Sequence, residues 1–350
     1  MNSWIENLIN IEPYVPGEQP GDGVIKLNAN ENPYPPSEKV GRVIREFDYR
    51  KLNKYPDSNG TKLKEKLAGY YGLKTSNVSV GNGSDEVLAF IFLACFCSKK
   101  PLLFPEITYS FYPVWANLFN KNFEEVPLNP DFSINPDVYY KDNGGIIIPN
   151  PNAPTGIGQR EGLLRDIIEH NQNQIVIIDE AYSDFGEYSA VGLLKDYDNI
   201  IIVKTYSKSR GLAGQRIGVS LSSEKITEKI EAVKNSFNSY TMDSLTLEIA
   251  AASIDDEEYF RNCINKIKKT RENTIKHMRK LGFTVMESQA NFVFASHDVI
   301  GAEDIFLKLK ERGIYVRYFN KPKLSNWLRI TVGTDEEMGI LLRELETICL

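Results

Sequence analysis

The stretch Ile200-Ile-Ile-Val-Lys-Thr-Tyr-Ser-Lys-Ser-Arg-Gly-Leu-Ala-Gly-Gln-Arg216-Ile-Gly-Val-Ser-Leu221 sets the reading of this chain. Its first four residues form a short β-branched run, the composition of a strand buried on both faces, and Ile217 to Leu221 form a second. Between them Lys208 stands among the hydroxyls of Thr205, Ser207 and Ser209, eight residues before Arg216. A lone lysine is by default a solvated surface charge. An amine just past a buried strand, among hydroxyls and near an arginine, is suited to lie beside an anion. The covalent partner that fits it best is an aldehyde cofactor.

Working outward, short apolar runs recur at Pro101 to Phe104, Gly145 to Pro149 and Ile175 to Asp179. Helix-like segments (Gly60 to Tyr71, Ser84 to Cys97, Glu161 to His170) separate them. This alternation predicts an α/β fold with a mostly parallel central sheet flanked by helices, whose ligands bind beyond the strand C-termini. Residues 1–35 hold five prolines and read as an irregular arm, with residues 36–243 as a large domain. After about 243 the texture changes. A long amphipathic helix from about Asp256 to Leu281 carries Phe260, Ile264, Ile267, Thr274 and Met278 on one side, a core stripe. Short strands near Phe283, Asn291 to Ala295, Ile314 to Tyr318 and Leu328 to Val332, with helices at 302–312 and 335–349, predict a smaller C-terminal α/β domain over 244–350.

Composition excludes several classes of function. A 350-residue chain, 42% hydrophobic and 25% charged, can bury a sizeable core. Its net charge of −6 and lack of a basic run argue against nucleic acid and for small-molecule partners. The longest apolar stretch, Val87 to Cys97, is too short to span a bilayer, and no signal-peptide pattern opens the sequence, so a cytoplasmic protein is expected. The four cysteines imply no disulfide framework. His170, His277 and His297 lack ligand spacing, so no metal is expected. The Lys-Ser pair at 208 is no phosphate-loop motif, because neither 202 nor 207 is glycine. Gly81-Asn-Gly83-Ser-Asp-Glu86 starts like a dinucleotide fingerprint but has Glu86 at its third glycine position.

Other residues give Lys208 its company. Asp179 ends the hydrophobic run Ile177-Ile-Asp179, where an unpaired carboxylate is costly. A protonated ring nitrogen would satisfy it; so would backbone N–H groups or an arginine. Tyr182 follows at a spacing suited to a phenol that donates to a cofactor oxygen. Gly81 to Glu86 precedes an apolar helix, so its amides can cradle a phosphate, or Ser84 or Asp85 can simply cap the helix. Thr205, Ser207 and Arg216 would complete such a cradle. Asn150-Pro-Asn-Ala-Pro-Thr-Gly156 is a rigid turn after a strand, and Tyr109 could stack on a planar ring or pack in the core.

Together these segments resemble the histidinol-phosphate aminotransferases, within the fold-type I pyridoxal-phosphate-dependent transferases. The likeness runs from Pro13-Tyr14 and Leu27-Asn-Ala-Asn-Glu-Asn-Pro33 through Tyr55-Pro56 to Trp327-Leu-Arg-Ile-Thr-Val-Gly-Thr334. The resemblance implies that Lys208 carries pyridoxal 5'-phosphate as an internal aldimine, that Asp179 pairs with the pyridine nitrogen, and that Tyr182 meets the ring hydroxyl. Ser84, Asp85, Thr205, Ser207 and Arg216 would surround the phosphate. Tyr109 would stack on the ring, and Arg329 would hold the substrate carboxylate. Tyr14 and Arg317 are candidates for the substrate phosphate. Tyr55 would reach the cofactor phosphate of a second subunit, making a homodimer. Where many relatives read Asn-Asn-Pro-Thr-Gly this chain has Asn152-Ala153-Pro-Thr-Gly, so Asn152 stands one residue early for the ring-hydroxyl contact.

The activity so implied is ping-pong amino transfer between histidinol phosphate with 2-oxoglutarate and imidazole acetol phosphate with glutamate, a step of histidine biosynthesis. Two alternatives share the scaffold: an aromatic amino acid aminotransferase, and a threonine-phosphate decarboxylase-like enzyme. A non-enzymatic effector sensor would be expected to carry a DNA-binding extension and to lack the lysine.

Overall fold

The computed structural model describes residues 3–349. In chain order, β1 (Ile25–Lys26) and α1 (Glu38–Glu46) precede α2 (Thr61–Tyr71), β2 (Val78–Asn82) and α3 (Ser84–Cys95). There follow β3 (Leu102–Pro105), α4 (Phe111–Leu118), β4 (Phe123–Val126), β5 (Gly145–Pro149), α5 (Glu161–His170), β6 (Val176–Asp179), β7 (Ile200–Thr205), β8 (Ile217–Ser222) and α6 (Glu224–Phe237). Then come α7 (Ser244–Ile254), α8 (Glu257–Lys280), β9 (Phe283–Val285), β10 (Phe292–His297), α9 (Ala302–Glu311), β11 (Ile314–Tyr315), β12 (Arg317–Tyr318), β13 (Leu328–Thr331) and α10 (Asp335–Cys349).

The central sheet has seven strands in the order β2-β8-β7-β6-β5-β3-β4. From β7 to β4 every neighbouring pair is parallel, and β8 alone runs against both its neighbours. Period-two geometry explains why the Ile/Val runs carry no polar residue. Ile146, Ile148, Val176, Ile178, Ile200 and Ile202 pack towards α2 and α5. Ile147, Ile177, Ile201 and Val203 point the other way, into the cluster of α3, α4 and α6. Both faces are dry, giving a three-layer sandwich with α3 in its interior. Accordingly α3 is apolar almost all round, with Val87, Leu88, Phe90, Ile91 and Phe92 buried.

A second sheet, β12-β13-β10-β9, is antiparallel and packs with α9 and α10 around Ile305, Leu309, Leu341 and Leu345. The long helix α8 serves both regions. Ile275 and Met278 lie in that second core, while Ile264 and Ile267 meet Phe185 and Val332.

The apolar clusters divide the chain differently from the expected boundaries at 35/36 and 243/244. Helix α7, placed by sequence in the C-terminal unit, buries Ile249, Ala250 and Ile254 in the core beside the large sheet. The arm is not independent either: β1 pairs in parallel with β11, and Leu27 enters the C-terminal core. The physical reason is the same in both cases, an apolar face that only the other unit can cover. No helix among the described residues is long and apolar enough to cross a membrane.

Candidate active site

The C-terminal ends of the parallel strands converge on one cavity of about 350 Å3. Pro149 from β5, Asp179 from β6 and Thr205 from β7 line it, and α3 points its N-terminus into it through Ser84 and Asp85. Tyr109, Tyr182, Ser207, Lys208 and Arg216 line it too, as do Tyr14, Arg317 and Arg329. Residues far apart in sequence thus share one space.

Asp179 is 6% exposed. Its Oδ2 accepts from the Tyr112 hydroxyl at 2.7 Å and its Oδ1 from the Ala181 amide at 3.2 Å. Burial pushes the carboxyl up to about 6, against the opposing pull of the Tyr112 hydrogen bond. Among the described residues no cation pairs with it. A cation is therefore what the cavity side of Asp179 lacks. Tyr112, on α4, was not singled out by sequence, where it is one of four aromatics between Tyr109 and Trp115.

Lys208 follows β7 by three residues. Its Nζ donates to the Ala29 carbonyl at 3.1 Å and lies 5.9 Å from the centre of the Tyr182 ring. The arm fixes this segment from the other side, since Asn32 Nδ2 donates to the Lys208 and Ser209 carbonyls, each at 3.0 Å. Beneath it, Lys204 and Glu180 form a buried pair at 2.8 Å, with Lys204 also donating to Ser183. Glu180 accepts in turn from Ser189 and from the Ala190 amide, so the pair is fully partnered and its role is to hold the strand ends in register.

At the α3 end, Arg216 pairs with Asp85 at 2.8 Å and reaches Ser207 Oγ at 3.5 Å, while Thr205 and Ser207 share a hydrogen bond at 3.1 Å. Tyr109 donates to the other Asp85 oxygen at 2.9 Å. Asp85 can offer an anion its amide only; its carboxylate anchors Tyr109 and Arg216. Two glycines make the space. Gly83 has φ +93°, and a Cβ there would lie 2.6 Å from Arg216 Nη2; one at Gly218 would lie 2.3 Å from the Gly83 carbonyl carbon. The result is a helix N-terminus, two hydroxyls and a guanidinium around a space closed to larger side chains, a site for a phosphate.

Two further guanidiniums, Arg317 and Arg329, line the cavity. Arg329 donates to the Asn28 carbonyl at 3.0 Å, while its Nε is buried without a partner. Burial, reinforced by the charge of Arg317, lowers its pKa from the usual guanidinium value. Among the described residues neither arginine has an ion-pair partner. Tyr14 stacks on Phe111 at 4.4 Å between ring centres, roofing the cavity.

Two named residues are not on this lining: Asn152, expected here, and Tyr55, expected at a second subunit's site. Asn152 is buried behind the cavity, its Nδ2 given to the Ile107 carbonyl at 2.9 Å, and Ala153 takes its place on the lining. The turn directs the side chain away from the lining and onto the Ile107 carbonyl. Tyr55 is 81% exposed, stacked on Tyr240 at 4.4 Å, outside its own chain's cavity.

The set fits pyridoxal phosphate on its own chemistry: a buried carboxylate short of a cation, a glycine-walled anion cradle, and a lysine amine on the same cavity. Comparison with known proteins agrees. The family model for aminotransferase class I and II matches residues 22–345. The histidinol-phosphate aminotransferase of Clostridium acetobutylicum is 51% identical over 347 residues, covering 98% of each chain. That of Clostridium botulinum strain Okra is 47% identical over 346 residues, covering 99% of this chain and 98% of its own. In fold, the chain matches the histidinol-phosphate aminotransferase of Sinorhizobium meliloti, solved in complex with pyridoxal 5'-phosphate, with TM-score 0.85 at 23% identity, over 93% of this chain and 90% of that one. The chain belongs to the class I and II aminotransferases, within the group that holds the histidinol-phosphate aminotransferases.

Proposed function

We propose that the chain is a pyridoxal-phosphate-dependent aminotransferase of the cytoplasm that interconverts histidinol phosphate with 2-oxoglutarate and imidazole acetol phosphate with glutamate. The observation that carries the substrate choice is the pair Arg317 and Arg329, two guanidiniums lining the cavity without carboxylate partners among the described residues. A site that must accept a phosphate monoester in one half-reaction and a dicarboxylate in the other needs fixed, uncompensated positive charge, and guanidinium suits both anions. A phosphate dianion can pair with both guanidiniums at once, whereas the single carboxylate of an aromatic amino acid engages only one of them.

When bound, pyridoxal phosphate supplies an aldehyde that exchanges between amines and a ring that draws electrons from the carbon beside the amine. The chain's residues do the rest. Asp179 would keep a ring nitrogen protonated, Ser84, Ser207, Thr205 and Arg216 would hold the phosphate, and Tyr109 would pack on the ring. Lys208 Nζ, when not bound to the cofactor, would take the proton from the substrate α-carbon as a base and later give it up as an acid. Arg329 orients the substrate through its carboxylate or, with Arg317 and Tyr14, its phosphate.

Exchange of Arg329 for Ala is expected to raise KM by about 10- to 100-fold for both substrates, the worth of a charge-assisted hydrogen-bonded pair. Arg317→Ala should weaken histidinol phosphate by a similar factor and leave glutamate nearly unchanged. Steady-state kinetics for each substrate check this; a defect confined to one substrate in Arg329→Ala would end the shared-anchor reading. The exposed Tyr55–Tyr240 stack supports a homodimer in which Tyr55 of a second copy meets the cofactor phosphate. Tyr55→Phe should then weaken cofactor binding without altering the Tm of the cofactor-free protein.

A further inference from the structure

Asn30 sits in the arm segment Asn28-Ala-Asn-Glu-Asn32 and is 1% exposed, with φ 54°, a left-handed conformation unusual for a residue with a side chain. Every polar group it carries is used, and the partners determine the direction of each bond. Its backbone N–H, which can only donate, goes to Thr331 Oγ at 2.9 Å. Thr331 therefore accepts there, and its own proton is given to Asn30 Oδ1 at 3.2 Å. That fixes the amide: Oδ1 faces Thr331 and Nδ2 faces Tyr182, whose hydroxyl oxygen accepts from it at 2.9 Å. The Asn30 carbonyl is held by Asn291 Nδ2 at 3.0 Å, so the residue cannot swing away.

Among the described residues the Tyr182 hydroxyl has no other partner. An oxygen that already accepts from Nδ2 has no acceptor in that direction for its own proton. We infer that Asn30 is a positioning residue for Tyr182: by donating to the phenol oxygen it turns the phenol proton into the cavity, ready for the ring oxygen of pyridoxal phosphate. The inference rests on the cofactor reading above. The same contact ties the phenol to β13, because Thr331 lies two residues from Arg329 on the same strand face.

The test is the pH midpoint of the visible band of lysine-bound cofactor in the purified holoenzyme. A donor to the ring oxygen favours the form in which that oxygen's negative charge is uncompensated, and so holds the midpoint low. Tyr182→Phe should raise it by about one to two pH units, the worth of a hydrogen bond to a charged group. Asn30→Gly keeps the positive φ but lacks the amide, and should raise it by a smaller amount. In the double variant the midpoint should equal that of Tyr182→Phe alone, because Asn30 acts through the phenol. Asn30→Asp has the same shape yet only accepts, turns the phenol proton towards itself, and should shift the midpoint at least as far as Asn30→Gly. An Asn30→Gly shift that persists in the Tyr182→Phe background, or an Asn30→Asp midpoint equal to wild type, would overturn the inference while leaving the cofactor reading intact. Absence of any visible band in the wild-type protein would overturn both.

Discussion

Lys208→Ala should lower kcat by about 10^4-fold or more, because one residue serves as the attachment point, the base and the acid. Stability should change little. Lys208 Nζ makes a single hydrogen bond, to the Ala29 carbonyl, and no ion pair among the described residues, so its loss removes no buried charge partner. The buried lysine nearby makes the opposite case. Lys204 is paired with Glu180, and removing it would strand a buried carboxylate. Single-turnover kinetics with histidinol phosphate and thermal unfolding of both variants separate the two roles.

Asp179→Asn should lower kcat by roughly 10^2- to 10^3-fold and weaken cofactor binding, yet make the cofactor-free protein more stable at neutral pH. Burial is the cause of both effects. The folded chain holds the Asp179 proton up to about pH 6, whereas the unfolded chain releases it near 3.8. Between these values the folded state binds more protons, so stability falls as pH rises through the window and remains lost above it. The neutral amide removes that cost, about 3 kcal/mol at most. The melting temperatures of the cofactor-free proteins should therefore coincide near pH 4, separate as pH rises from about 4 to about 6, and stay apart by a constant amount above that. A cation at the ring nitrogen reverses the balance by pairing with the carboxylate. In the wild type, cofactor affinity should be flat above pH 6 and decline below it, as the carboxyl takes up its proton.

How much of this was legible in the sequence depends on what each residue's environment demands of its type. Strands β5, β6 and β7 were readable because burial on both faces leaves room only for apolar side chains, and Asp179 stood out as the exception at a strand end. Strand β4 was not, since this edge strand exposes Glu124 and Glu125. Nor was β2, where Ser79 and Gly81 interrupt the apolar pattern while Ser79 bonds to Glu231 of α6. The reversal of β8 leaves no mark either, because its residues meet the same dry faces as those of its parallel neighbours. Lys208, the hydroxyls of Thr205 and Ser207, and Arg216 drew attention through residue type and order, whereas Arg329 and Arg317 came only with the family resemblance; the fold lines one cavity with all of them. Tyr112 and Asn30 were not assigned roles. Tyr112 differs from its aromatic neighbours only in facing Asp179, and the meaning of Asn30 depends on Thr331, 301 residues away in the chain. For Asn152 and Ala153, a tight turn decides which side chain reaches the cavity, and residue type alone could not.

The most direct test of the central claim is a half-reaction. Purified protein loaded with pyridoxal phosphate is mixed separately with histidinol phosphate, glutamate, phenylalanine and threonine phosphate, and the visible spectrum, the cofactor product and carbon dioxide are followed. Histidinol phosphate and glutamate should each remove the band of lysine-bound cofactor and leave pyridoxamine phosphate, with phenylalanine much slower and no carbon dioxide from threonine phosphate. A band unchanged by histidinol phosphate, or carbon dioxide released from threonine phosphate without pyridoxamine phosphate, would contradict the account.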